Sequence, residues 1–360
     1  MADPPGSGPL DREGLRERVG GALAAYLRAQ EARLLTISPG LAGMHDAVTA
    51  FLLEGGKRLR PAFCYWGWRG AGGDDSPASV VAAACLELLQ AGALIHDDVM
   101  DDSDTRRGKP SIHRRFAAAH LAGGWAGGAD TFGRSAAILL GDLCLIWADE
   151  MLNTSGLPAV DLARAQPVYD EMRVELMAGQ YLDLLEQARG PGTVAGALLV
   201  ARYKSAKYTV ERPLHMGAAL AAGGPEVVRA YSAFGLPLGE AFQLRDDVLG
   251  VFGDPSETGK PAGDDLREGK RTVLVAMAAD AAHPAQAAVL TRLLGNADLA
   301  PDGVEELRAV IRDTGALDRV ETMIDERTGA ALEALSGAPV EPHAAEVLAE
   351  LAVAATERSG

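Results

Sequence analysis

The chain has 360 residues, 48% of them hydrophobic, enough to bury one large core or two ordinary ones. Its formal net charge of −16 excludes nucleic acid and anionic lipid as general partners, because both would be repelled. Aromatics are only 5% of the chain, and alanine and leucine outnumber β-branched runs, a balance that favours helix over strand.

Residues 1–13 open with a Pro- and Gly-rich stretch and are expected to form a disordered tail. No basic segment leads into an apolar stretch there, and no uncharged apolar run approaches the ~20 residues of a membrane helix. A cytoplasmic location without stable membrane insertion is the expectation. From residue 14 to about 35, Leu15, Val19, Leu23, Tyr26 and Leu27 fall on one helical stripe. Helical segments then alternate with Gly- or Pro-marked breaks near 70–77, 107–111, 121–130, 153–158, 189–193, 222–225, 253–264, 296–303 and 336–342. Strand alternation and Gly-rich strand-to-helix turns are not evident, so residues 14–356 read as one all-α domain. Cys64, Cys85 and Cys144 lie apart in apolar stretches without metal-ligand spacing, as buried thiols of a reducing compartment would.

Two segments carry chemistry and echo each other. An apolar helix leads into HDDVMDDSDTRRGKP (96–110), and a second leads into RDDVLGVFGDPSETGKP (245–261). The Gly of the Gly-Lys-Pro turn follows the first Asp by 11 residues in one and 13 in the other. Asp97, Asp98 and Asp101 form DDxxD, with Asp102 and Asp104 behind. On a helix Asp97 and Asp101 stand one turn apart at the C-terminal end, where repulsion and the helix dipole disfavour both. A shared divalent cation reverses that sign, and an all-oxygen donor set suits Mg²⁺. The second site offers Asp246 and Asp247, with Gly250 where a third carboxylate would stand. Basic groups gather nearby in sequence: Lys57, Arg58 and Arg60 in GGKRLRP, then Arg106, Arg107, Lys204, Lys260 and Lys270. In so acidic a chain, such clustering suits a metal-bound anion.

The ordered set GGKRLRP, LIHDDVMDDSDTRRGKPS, GQYLD, YKSA and FQLRDDVLGVFGDPSETGKPAGDDLREGK resembles the trans-isoprenyl diphosphate synthase family over about residues 40–355. The resemblance implies a single-domain helical bundle around a deep central cavity, the isoprenoid synthase type, usually as a homodimer. It implies up to three Mg²⁺ ions, with Mn²⁺ as a substitute. Asp97 and Asp101 would hold two of them, with Asp98 beside them. Asp246 would hold the third, with Asp247 beside it, and Asp183 of GQYLD would be a lesser metal contact. Arg106 would hold the allylic diphosphate. Lys57, Arg60, Gln90 and Arg107 would hold isopentenyl diphosphate. Lys204, Ser205, Gln243, Lys260 and Lys270 would surround the leaving diphosphate and the developing cation. His96 and His113 are expected to be structural.

The implied reaction ionises dimethylallyl, geranyl or farnesyl diphosphate, adds isopentenyl diphosphate and eliminates a proton. In this family bulky residues four and five positions before the first Asp stop chain growth. Here these are Ala93 and Gly92, both small, with Leu89 a turn deeper. Geranylgeranyl diphosphate is the expected product, with farnesyl or longer products as the alternative. A type I terpene cyclase would need no GGKRLRP site. A non-catalytic binding subunit would usually have lost the acidic motifs.

Overall fold

A computed structural model describes residues 9–190, 192–254 and 263–357. Lys260 and the Gly-Lys-Pro turn around it lie outside the described residues, as do residues 1–8 of the expected tail. The fold is all-α, as expected. In chain order the helices are α1 (Leu15–Ile37), α2 (Ala42–Leu53), α3 (Leu59–Gly70), α4 (Pro77–Met100), α5 (Ile112–Ala122), α6 (Ala129–Asn153), α7 (Ala159–Arg189) and α8 (Val194–Val200). A π-helical segment, Ala201–Glu211, runs directly into α9 (Arg212–Leu220). Then follow α10 (Pro225–Phe252), α11 (Asp264–Glu268), α12 (Val273–Ala281), α13 (Pro284–Leu293), α14 (Pro301–Asp313), α15 (Ala316–Leu335) and α16 (Pro342–Thr356). Pro9–Gly14, overlapping the expected tail, is a 3-10 stretch broken by a kink at Asp11, Arg12 and Glu13, and Asp11 there accepts a hydrogen bond from the Arg16 amide at 3.2 Å.

The chain divides into two compact units, Met1–Tyr65 with Asp74–Ala163 and Trp66–Gly73 with Arg164–Gly360. The first is organised on α4, which packs against α1, α2, α5 and α6. Ser76 starts this helix: its hydroxyl accepts from the Ser79 amide at 3.1 Å, Ser79 returns the bond, and Pro77 follows at the first helical position. Leu86, Leu88, Leu89 and Ile95 bury completely along it. Among the described helices α4 alone is long and apolar enough to cross a membrane. Most of its apolar window is covered by protein, as in the core helix of a globular unit. It meets α6 through glycines. A Cβ at Gly92 would lie 2.9 Å from the Gly141 carbonyl oxygen, and one at Gly141 would lie 2.1 Å from His96 Nε2. His96 is structural, its Nε2 donating to the Ile138 carbonyl at 3.0 Å.

The second unit is organised on α10, which packs against the π segment, α9, α11, α12, α15 and α16. Leu244, Val248, Val251, Leu266, Leu274, Leu307, Ile311, Val320 and Ile324 share one buried apolar cluster. Each unit therefore has a long central helix with an Asp-Asp pair near its C-terminal end, Asp97–Asp98 in one and Asp246–Asp247 in the other.

Candidate active site

In the first unit, α4 places Asp97 half-buried and Asp98 fully buried, with Asp101 as the C-terminal cap, its amide donating to the Asp97 carbonyl at 2.9 Å. Arg106 reaches back from the chain that follows. Its Nε donates to Asp98 Oδ1 at 2.8 Å, and Nη2 bonds the same oxygen and lies 3.4 Å from Asp97 Oδ2. Arg106 is held there by a two-residue hairpin. Thr105–Arg106 (β1) pairs antiparallel with Lys109–Pro110 (β2), Arg106 opposite Lys109. The tip residues Arg107 and Gly108 have φ of 55° and 71°, the left-handed pair a tight hairpin turn needs. Glycine takes that conformation freely; Arg107 does so at a cost.

Arg107 turns back onto the GGKRLRP loop. Its guanidinium lies over the Phe51 ring at 5.5 Å and donates to the Phe51 carbonyl at 3.3 Å. Cβ atoms at Gly55 and Gly56 would sit 3.5 and 3.4 Å from it, ordinary van der Waals contact, and Gly56 takes a φ of 107° that favours glycine. Burial lowers the pKa of Arg107; Glu87 opposes this, while Arg58, Arg106 and Arg60 reinforce it. Four guanidinium groups thus share one field, which suits an anion of more than one charge. Lys57 is exposed on the loop, and Arg60 and Gln90 are half-buried on α3 and α4. Arg58 is turned inward, buried at φ 56°, bonded to Glu87 and to the Leu52 carbonyl.

In the second unit, Asp183 of α7 is buried and accepts from Lys204 Nζ at 2.6 Å. Ser205, next along the π segment, is buried. Gln243 on α10 donates to Asp247 Oδ1 at 2.7 Å. Burial pushes the Asp247 carboxyl up to about 8 despite that bond, with Asp265 and Asp246 adding to the rise and Lys270 opposing it. Lys270 Nζ lies 2.7 Å from Glu268 and 3.7 Å from Asp265. At Gly250 a Cβ would lie 1.9 Å from Asp265 Oδ2 and 2.7 Å from its Cγ, so the end of the Asp265 side chain, from α11, occupies the space where the motif's third Asp would begin.

The donor chemistry fits a hard divalent cation in both units: carboxylate oxygens, in the second buried first and crowded second so that Asp247 resists ionisation. Among the described residues no three His, Cys, Asp or Glu side chains form a ready metal cage. A cation here would complete its shell with phosphate oxygen and water. Two residues of consequence escaped the sequence reading. Glu87 is the only charged residue between Ser76 and Asp97, and a lone carboxylate in an apolar helix must find a partner when buried. Asp265 stands in GDDLREGK, a motif in which only the lysine drew a role.

A family model described as polyprenyl synthetase matches residues 42–311, three quarters of the chain. A geranylfarnesyl diphosphate synthase of Aeropyrum pernix is 34% identical over 272 residues, 74% of this chain and 79% of its own length. A geranylgeranyl diphosphate synthase of Mycobacterium tuberculosis is 33% identical over 288 residues, 80% of this chain and 77% of its own. The crystal structure of a geranylgeranyl pyrophosphate synthase from Corynebacterium glutamicum, complexed with isoprenyl diphosphate and magnesium, matches with a TM-score of 0.93. That match is 42% identical and covers 96% of this chain and 99% of the other. Taken with these matches, the all-α fold and its acidic pairs near helix ends place the chain in a prenyl-transferring class of enzyme. The chain belongs to the polyprenyl synthetase family and is a trans-prenyltransferase.

Proposed function

We propose that the chain condenses isopentenyl diphosphate with an allylic diphosphate, with Mg²⁺ as cofactor, and that its product is geranylgeranyl diphosphate. The observation that carries this reading is the Asp97–Asp98–Arg106 arrangement, carboxylates and a fixed cation together at the end of α4. The Corynebacterium glutamicum neighbour, complexed with isoprenyl diphosphate and magnesium, supports it. Residues 14–356 act as one synthase domain in the cytoplasm.

Asp97 and Asp101 hold two Mg²⁺ ions and Asp246 a third, with Mn²⁺ an acceptable substitute. Bound Mg²⁺ supplies positive charge to the leaving diphosphate, the largest contribution expected in such sites. Buried Asp98 serves chiefly to orient Arg106, which binds the allylic diphosphate. Asp247 and Asp265 line the second acidic site, Asp265 from the space that Gly250 leaves. Asp183 steers Lys204. Lys204, Lys260 and Lys270 take up charge on the departing diphosphate as the allylic carbon–oxygen bond breaks. The oxygen dipoles of Ser205 and Gln243 face the carbocation. Lys57, Arg60, Gln90 and Arg107 hold isopentenyl diphosphate, whose double bond forms the new carbon–carbon bond. The proton then lost passes to the released diphosphate, and no histidine is needed.

Exposed apolar side chains on α6, Ile138, Leu139 and Ile146, lie on one stripe, and a second copy of the chain covers them in a homodimer. The deciding experiment gives purified protein radiolabelled isopentenyl diphosphate with dimethylallyl, geranyl or farnesyl diphosphate. A twenty-carbon product, abolished by EDTA and restored by Mg²⁺, is expected. No incorporation with any primer, or hydrocarbon released from farnesyl diphosphate alone, sinks the proposal.

A further inference from the structure

The segment that presents Lys204 and Ser205 does not hold its own shape. Ala201–Glu211 is π-helical through eleven residues and ends with the Arg212 amide bonding back to the Lys207 carbonyl. Such i→i+5 bonding ordinarily lasts a single turn, so the neighbouring helices must impose it.

They do so through glycines that meet backbone. A Cβ at Gly179 of α7 would lie 2.3 Å from the Lys204 amide nitrogen, 2.6 Å from the Tyr203 carbonyl carbon and 2.7 Å from Lys204 Cα. One at Gly239 of α10 would lie 2.5 Å from the Ala206 carbonyl oxygen and 2.6 Å from Ala206 Cα. At Gly235 the approach is gentler, 3.0 Å to Glu211 Cα and 3.1 Å to Leu214 Cδ1. Backbone atoms cannot rotate aside as a side-chain tip would.

The spacing explains the match. Gly235 and Gly239 stand four apart on α10, one α-helical turn. The residues they meet, Glu211 and Ala206, stand five apart, one turn of the wider helix. Successive turns of an ordinary helix are therefore keyed to successive turns of a π-helix. On α7, Gly179 receives the Lys204 backbone, and Asp183, four residues on, binds the Lys204 ammonium.

We infer that Gly179, Gly235 and Gly239 are positioning residues: they impose the π register and thereby place Lys204 at the leaving diphosphate and Ser205 at the carbocation. The inference rests on the proposed role of those two side chains. Gly329→Ala is the control, because a Cβ at Gly329 of α15 meets nothing within 4 Å. Gly179→Ala, Gly235→Ala and Gly239→Ala are compared with it by steady-state kinetics, thermal melting and hydrogen exchange of the 201–211 amides.

Gly179→Ala and Gly239→Ala should lower kcat by about tenfold to a hundredfold, as misplacement on the order of an ångström does. Gly235→Ala should lower it less and remain folded, which keeps the test open if the other two fail to fold. KM for isopentenyl diphosphate should hold, and exchange within 201–211 should quicken in the same order of severity. Full activity with undisturbed exchange overturns the inference. So does a loss that follows melting temperature alone. Failure of the underlying reading would show separately, as wild-type protein without prenyltransferase activity.

Discussion

At the scale of single residues, the acidic motifs are less alike than their sequences. Asp98 is sealed against Arg106, so Asp98→Asn should act on Arg106 rather than on metal. KM for the allylic substrate should rise about tenfold, from roughly 1.4 kcal/mol of lost orientation. Titration of activity against Mg²⁺ should leave its midpoint unmoved, which separates Asp98 from a ligand. Asp265 should behave in the opposite way. Asp265→Asn should shift the Mg²⁺ midpoint upward, and Gly250→Asp should turn the end of the Asp265 side chain aside and move that midpoint while the protein stays folded. That substitution restores the family motif on paper, yet here it displaces a carboxylate already in place.

His215 offers a test of stability. It is buried on α9, with Arg212 at 3.4 Å and the Ser232 hydroxyl at 3.0 Å. Burial first, and Arg212 second, lower its pKa to about 4. The unfolded imidazole takes up its proton near 6.5, so between those values the unfolded chain binds more protons and stability falls as pH drops. This group alone should make the protein about 2 kcal/mol less stable at pH 5 than at pH 7. Urea unfolding of wild type and His215→Gln at both pH values measures it, and the variant should show a shallower acid slope.

At the scale of elements, α4 combines a packing face with the proposed ruler for product length. Leu89 and Gly92 are buried, whereas Ala93 is half-exposed. A side chain at Gly92 would press on the Gly141 carbonyl and Leu145, so enlarging it should cost about 1–3 kcal/mol as overpacking. Ala93→Phe should instead keep the fold and shorten the product by about one isoprene unit, since a turn advances ~5.4 Å. Chromatography of the products decides it; an active variant with an unchanged product removes Ala93 from the ruler.

The order of elements was largely legible in the sequence. The breaks expected near 70–77, 121–130, 153–158 and 222–225 all separate helices, because glycine and proline act locally on the chain. The breaks at 38–41 and 282–283 are marked only by Pro39–Gly40 and by Pro284 beside a serine or histidine cap, a shorter signal than a glycine run. The π segment was illegible for a stronger reason. Nothing in ARYKSAKYTVE spells a five-residue turn; the instruction lies in glycines on two other helices. Likewise Arg58 and Arg60 look equivalent in GGKRLRP, and only the buried partner Glu87 tells them apart.

At the scale of the molecule, the three cysteines report on the integrity of the interior. Cys64, Cys85 and Cys144 are all buried, and burial pushes the Cys64 and Cys144 thiols up to about 12. The native protein should resist a thiol reagent at pH 8 and expose all three groups on unfolding. The α6 stripe makes a second prediction at this scale. Leu139→Asp with Ile146→Asp should convert a dimer to monomer by light scattering; an unchanged mass assigns the stripe to something other than self-association.

A helix bonded i→i+5 packs more residues into each turn than an ordinary helix, so this segment carries extra chain over the same number of turns. Deleting one position between Ser205 and Arg212 would let part of the backbone tighten toward 3.6 residues per turn and change which of its residues face α7 and α10. Lys204 would then swing away from Asp183 while Arg212 kept its grip on Glu175. One-residue length changes, tolerated in most surface loops, should therefore be lethal to turnover in this short stretch.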